Sequence, residues 1–238
     1  MDEKQQIMLK LQTALKSQIE NNPHNLYKNV KDFKYLMLLY RCAIREVKTR
    51  LEILNDEMIE EKDRNPIEFV KSRIKKPASL LEKLCRRGFE ISNESIRGNI
   101  NDVAGVRVVC SFIDDIYQMA DMLMHQDDIK LVQIKDYIKN PKPNGYRSLH
   151  MIVEVPVFFS NKKEYVRCEI QIRTIAMDLW ASLEHKMKYK KTVNSTEQIL
   201  EKLKAAADKI HEVDTEMLTI RNCINEVEDI EGAKEIHE

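Results

Sequence analysis

The stretch Tyr165-Val166-Arg167-Cys168-Glu169-Ile170-Gln171-Ile172-Arg173 decides the fold. Side chains alternate across a β-strand, so Val166, Cys168, Ile170 and Ile172 share one face and Arg167, Glu169, Gln171 and Arg173 the other. The apolar face belongs to a core. Upstream, Ser148–Phe158 repeats the pattern, with Leu149, Met151, Val153 and Val155 on one face and Ser148, His150 and Glu154 opposite. The turn Ser160-Asn161-Lys162-Lys163 joins the two segments as an antiparallel hairpin. A sheet with one wet face produces this pattern with no function attached, so the polar row alone decides nothing.

Outward from the hairpin, further strands are predicted at Val103–Ser111, where Arg107 interrupts the valines, and at Lys130–Ile138. Helices are predicted at Pro77–Arg87, at Asp114–His125 and from Ile175 to about Lys190. Asp114-Asp115 reads as a helix start rather than a metal site. In the last helix Ala176, Leu179 or Trp180, Leu183 and Met187 are expected to face the core, leaving Asp178, Ala181, Ser182 and His185 as a second stripe.

Long helices flank this α+β region. A short helix from about Lys4 to Glu20 stops at Asn21-Asn22-Pro23, and a long one spans about Asp32 to Lys62. Phe33, Met37, Tyr40, Ile44, Val47, Leu51, Leu54 and Met58 alternate spacings of four and three, as a helix seam does. At the other end Ile199, Leu203, Ala206, Ile210, Val213, Met217, Ile220, Ile224 and Val227 do the same. Either seam can pack within one subunit or between subunits, and the spacing fits both. The expected layout is a helical extension over 1–65, a catalytic domain over 66–192 and a C-terminal helix over 193–238, a candidate oligomerisation element.

Composition narrows the function. The 238 residues suit one catalytic domain with extensions, and 39 basic residues balance 39 acidic ones, so no overall positive field recruits nucleic acid or a membrane. Met1-Asp2-Glu3-Lys4-Gln5 does not start a signal peptide, and no apolar run spans a bilayer, so a cytoplasmic location is expected. The five cysteines (Cys42, Cys85, Cys110, Cys168, Cys223) never occur as C-x-x-C, which argues against a disulfide framework or a zinc site. None of the five glycines forms a dinucleotide fingerprint or a P-loop.

A loop and a basic cluster make a nucleotide site attractive. Lys139-Asn140-Pro141-Lys142-Pro143-Asn144-Gly145-Tyr146-Arg147 sets an aromatic ring among cations on a stiffened turn, suited to stacking on a base. Lys71-Ser72-Arg73-Ile74-Lys75-Lys76, running into a helix that carries Lys83, Arg86 and Arg87, suits a polyphosphate. A plain Asn-Gly turn for the loop and a solvated face for the basic cluster remain the alternatives when each is taken alone.

Three ordered motifs carry a family resemblance: Asn101-Asp102-Val103-Ala104-Gly105-Val106-Arg107; Asp136-Tyr137-Ile138 through Pro143-Asn144-Gly145-Tyr146-Arg147-Ser148-Leu149-His150; and Glu169-Ile170-Gln171-Ile172-Arg173-Thr174. Over about Phe69–Lys191 the chain resembles the synthetase domain of the RelA/SpoT family, and its short length is similar to the small alarmone synthetases of the RelP or RelQ type, RelP more closely. The resemblance implies a mixed, largely antiparallel sheet of nucleotidyltransferase-like fold, and transfer of pyrophosphate from ATP to the 3′-hydroxyl of GTP or GDP with release of AMP. It implies that Asp102 and Glu169 hold Mg2+, with Glu169 also drawing the proton from the hydroxyl. Arg73 and Arg107 match positions that sandwich adenine, and Lys75 and Lys83 match phosphate ligands. Tyr146 matches the guanine-stacking residue, with Lys142, Asn144, His150 and Gln171 around the acceptor and Asp178 at the guanine edge, where other members carry asparagine. A homotetramer is implied too. The family's hydrolase half needs a His-Asp motif that the sequence lacks, so synthesis without hydrolysis is expected. The rivals are a nucleotidyltransferase that releases pyrophosphate, and an RNA- or partner-binding module using Lys186–Lys191 and the long helices.

Overall fold

The computed structural model describes residues 23–62, 64–189 and 197–235, within which the alternating segments join in one five-stranded sheet. In chain order the elements are α1 (Pro23–Lys62), β1 (Ile67–Ile74), α2 (Pro77–Arg86), α3 (Asn93–Asn99), β2 (Ala104–Cys110), α4 (Ile113–Met124), β3 (Lys130–Asp136), β4 (Leu149–Phe158), β5 (Lys163–Thr174), α5 (Ile175–Tyr189) and α6 (Glu197–Glu235). The strand order is β1-β2-β5-β4-β3. Only the β2–β5 pair is parallel, so the sheet is mixed and largely antiparallel.

Register turns the polar alternation into a surface. Lys71 pairs with Arg107, Arg107 with Gln171, Gln171 with His150 and His150 with Lys135, a polar row across all five strands. Beside it, Arg73 pairs with Gly105 and Gly105 with Glu169. The opposite face is the core, where Val106, Val108, Met151, Val153, Cys168 and Ile170 pack with Ala43, Val47 and Leu51 of α1 and Ile116, Met119 and Leu123 of α4. Burying each such leucine or isoleucine contributes about 1.5–3 kcal/mol.

The N-terminal seam is thereby satisfied within the chain: Met37, Tyr40, Ile44, Val47, Leu51, Leu54 and Met58 are all buried. The C-terminal seam is not, because Ile199, Val213, Met217, Ile220, Ile224 and Val227 stay exposed. Helix α6 instead touches the domain through Ala207 and Asp214, which are buried, and through Arg221, whose guanidinium pairs with Asp114 at 2.6 Å and lies over Phe112.

Several expectations need correction. The basic run at Lys71–Lys76 does lead into the helix opened by Pro77, but its first four residues finish an edge strand, β1, that was not expected. Helix α3, capped by Ser92 Oγ accepting from Ser95 N at 3.0 Å, was not foreseen. Pro23 opens α1 nine residues before the expected start at Asp32; proline suits a first turn because its missing N–H has no partner there anyway. In α5, Trp180 faces inward, as one of the two residues expected there, and Met177 joins it, but Leu183 and Met187 of the expected core stripe are exposed, as is Leu179. The predicted helix at Lys4–Glu20 lies outside the described residues.

Candidate active site

The polar face divides into two halves that meet at Glu169 and Gln171. In the first half Asp102, in the turn before β2, accepts from two ammonium groups, Lys75 Nζ on Oδ2 and Lys83 Nζ on Oδ1, each at 2.7 Å. Lys75 follows β1 and is tied there by its N–H donating to Val103 O at 2.9 Å; Lys83 projects from α2. Burial alone would raise the Asp102 pKa, but hydrogen bonds and charge from the two lysines hold it below the ordinary carboxylate value. Next to this cluster, Lys71, Ser72, Arg73, Gly105, Arg107, Glu169 and Gln171 line an open cavity of about 150 Å³.

The second half is aromatic and cationic. Tyr146 Oη accepts from Arg173 Nη2 at 2.6 Å and lies 2.7 Å from His150 Nε2. The phenol oxygen therefore touches both the guanidinium and the imidazole. The rings of Tyr137, Tyr146 and His150 meet edge to face, with centroids 5.1–6.0 Å apart. Lys142 Nζ sits 4.6 Å from the Tyr146 ring centre and 4.7 Å from that of Tyr137. Asn144 accepts from Tyr146 N at 3.2 Å and donates to Glu184 at 3.2 Å, fixing the turn. Burial raises the Tyr146 pKa despite the opposing arginines, so the phenol stays neutral.

Where the halves meet, Gln171 Nε2 donates to Glu169 Oε2 at 3.0 Å, and His150 Nδ1 lies 3.7 Å from Glu169 Oε1. Burial pushes the Glu169 carboxyl up, but His150 and Gln171 outweigh burial and the nearby negative Asp102, leaving its pKa below the ordinary value. Beneath them Asp178 Oδ1 accepts from Arg107 Nη1 at 3.2 Å and Arg173 Nη1 at 3.1 Å, so this acid binds the two halves together. The buried Nε atoms of Arg107 and Arg173 have no partner among the described residues.

A region found in RelA and SpoT proteins matches residues 72–194. GTP pyrophosphokinase YwaC of Bacillus subtilis is 47% identical over 192 residues, which are 81% of this chain and 91% of that one. The chain belongs to the RelA/SpoT family. Among solved structures, the fold matches small alarmone synthetase 2 of Bacillus subtilis with TM-score 0.72 and 46% identity, covering 80% of this chain and 98% of that one. It also matches small alarmone synthetase 1 of the same organism, bound to its product pppGpp, with TM-score 0.73 and 37% identity over 81% and 97% of the respective chains.

On this RelA/SpoT scaffold the twelve residues singled out in the sequence lie on one sheet face, its adjoining loops and two helices beside it, with Lys83 on α2 and Asp178 on α5. Arg73, Lys75, Lys83, Asp102 and Arg107 gather in one half, and Lys142, Asn144, Tyr146, His150 and Asp178 in the other, with Glu169 and Gln171 between. Sequence reading missed Arg173, which touches Tyr146, Gln171 and Asp178 at once. Its signal was present as the next residue after Glu169 and Gln171 on the same alternation. Tyr137 was also missed as a ring beside Lys142 and His150.

Proposed function

We propose that the chain is a small alarmone synthetase that transfers pyrophosphate from ATP to the 3′-hydroxyl of GTP or GDP and releases AMP. The observation that carries this reading is the pairing of two unlike nucleotide-binding halves on one sheet face, with the ionised carboxylate of Glu169 where they meet. Arg73 and Arg107, facing the cavity, offer guanidinium planes for adenine, while Lys75 and Lys83 supply positive charge for the donor's phosphates. Tyr146 offers its ring to guanine, with Lys142 and His150 beside it for the acceptor's phosphates and ribose. Asp178 and Gln171 shape the floor under the acceptor.

In-line transfer needs the 3′-oxygen, the β-phosphorus and the departing AMP aligned, with positive charge around the moving oxygens. Glu169, at the junction, accepts the hydroxyl proton, and its lowered pKa keeps it deprotonated at neutral pH.

The donor set suits Mg2+. Asp102 and Glu169 are hard carboxylate oxygens close enough for each to feel the other's charge, although no group of three metal-binding side chains occurs among the described residues. Phosphate and water oxygens would fill the remaining positions. Bound there, the ion would neutralise charge on the transferred group.

The exposed apolar row of α6 supports assembly of the chain into a homo-oligomer, which we take to be a tetramer. No described helix is long and apolar enough to cross a membrane.

The test incubates the protein with Mg2+, GTP or GDP, and ATP labelled at the β-phosphorus. Label on the guanosine nucleotide together with AMP supports the proposal. Release of labelled pyrophosphate with AMP attached to an acceptor would replace it with nucleotidyl transfer.

A further inference from the structure

The loop that presents Tyr146 does not stand alone; it is clamped against the C-terminal helix. Gly145 has φ +86°, and a Cβ there would lie 2.5 Å from Ala207 Cβ and 3.1 Å from Lys204 Cα, so the loop backbone rests directly on α6. The next side chain but one, Arg147, reaches the same turn of that helix: Nη2 donates to Asp208 Oδ1 at 2.9 Å and Nη1 to Ala207 O at 3.4 Å. The Arg147 side chain also donates back to Gly145 O at 3.3 Å, so the same guanidinium holds the loop backbone on either side of Tyr146. From the other side Trp180, whose ring centre is 6.4 Å from that of Tyr146, donates Nε1–H to Leu203 O on α6 at 3.1 Å. Further along α6, Thr174 Oγ1 donates to Asp214 Oδ2 at 2.6 Å, fixing the helix to the end of β5, beside Arg173.

We infer that α6 is a positioning element of the acceptor half, with Arg147, Asp208 and the Gly145–Ala207 contact holding the Lys142–Arg147 loop so that the Tyr146 ring is presented to the guanosine nucleotide. Among the described residues no group on α6 is hydrogen-bonded to Tyr146 itself; the helix acts through the loop. The donor half, built from β1, α2 and the turn at Asp102, has no hydrogen bond to α6 among the described residues. Loosening the clamp therefore weakens acceptor binding and spares ATP. A rigid loop loses less conformational freedom when the nucleotide binds, which is why its anchors contribute to affinity without touching the ligand. The inference rests on the assignment of Tyr146 to the guanosine nucleotide.

The experiment compares Asp208→Ala, Asp208→Glu, Arg147→Ala and the double variant Arg147→Ala/Asp208→Ala in the full chain, with Tyr146→Ala as reference, measuring KM for GTP and for ATP and the turnover number. Asp208→Ala should raise KM for GTP about three- to fivefold, the scale of one partly exposed ion pair. KM for ATP should not change. Asp208→Glu should restore the value, and the double variant should be no worse than Arg147→Ala alone. If Tyr146→Ala raises KM for GTP selectively and Asp208→Ala does not, or if Asp208→Ala raises both constants equally, the positioning role is overturned while the acceptor assignment stands. If Tyr146→Ala itself shows no preference for GTP, the acceptor assignment falls and takes this inference with it.

Discussion

Arg173 Nη2 and Tyr146 Oη meet at 2.6 Å, and the guanidinium carbon lies 5.1 Å from the centre of the same ring. Arg173 is almost fully buried, and one planar fork serves three acceptors: the phenol, Gln171 Oε1 at 2.9 Å and Asp178 Oδ1 at 3.1 Å. It holds the Tyr146 ring by its phenol oxygen.

Lysine in that position keeps the charge but cannot span three acceptors. Arg173→Lys should therefore raise KM for the guanosine nucleotide on the order of tenfold, the worth of one charge-assisted hydrogen bond. KM for ATP should change little. Equal losses for both substrates in steady-state kinetics would mean that Arg173 only supports the fold.

The outward row of α6 should be the assembly surface. Met217→Glu combined with Ile220→Glu places charges on residues that are about half exposed in the single chain and bury nothing there. The variant should fold, with unchanged circular dichroism, and run as a smaller species in light scattering. An unchanged mass would exclude this row from the interface.

Asp214 predicts a pH effect on stability. Burial raises its carboxyl pKa, and the hydrogen bond from Thr174 with the nearby His211 only partly opposes this. A group whose pKa is higher folded than unfolded favours the folded state at pH values below the unfolded pKa of about 3.9. That advantage is lost as pH rises through the raised folded value. Asp214→Asn keeps an acceptor for Thr174 and removes the charge, so at pH 7 it should melt no lower than the wild type. Its margin over the wild type should shrink as pH falls through the window between the two pKa values. A variant markedly less stable at pH 7 would show that the ionised carboxylate, not burial, dominates there.

The sheet was legible where alternation was clean, as in Ser148–Phe158 and Tyr165–Arg173, because period-two burial leaves a direct mark in residue order. Strand β1 was not, since an edge strand whose cations serve a site reads as a solvated basic run: Lys71, Ser72 and Arg73 hide Ile67, Val70 and Ile74. Seven-residue α3 is too short for a helical period. The two long seams looked alike in spacing, yet one is buried under the sheet and the other is left outside; spacing encodes a stripe but not its partner. In α5 the same ambiguity sent Leu183 and Met187 to the wrong side. In the site, Arg107 stood out as a charge interrupting an apolar strand, and Glu169 and Gln171 as members of an alternating polar face. The junction of the two halves, and the grip of Asp208 on Arg147, depend on pairings between distant segments that no local pattern carries.

The central claim is that Glu169, at the meeting point of the two halves, takes the proton from the 3′-hydroxyl. Glu169→Gln keeps the size and an oxygen to accept from Gln171, on the face away from Cys168 and Ile170, so the fold should survive. The direct test is single-turnover transfer of pyrophosphate by the folded variant saturated with both nucleotides. The account predicts that the transfer rate falls about 10²–10⁴-fold, the usual contribution of a general base, while the guanosine nucleotide still binds. Near-normal transfer by the saturated variant would contradict it and leave Glu169 as one more polar residue on a wet sheet face.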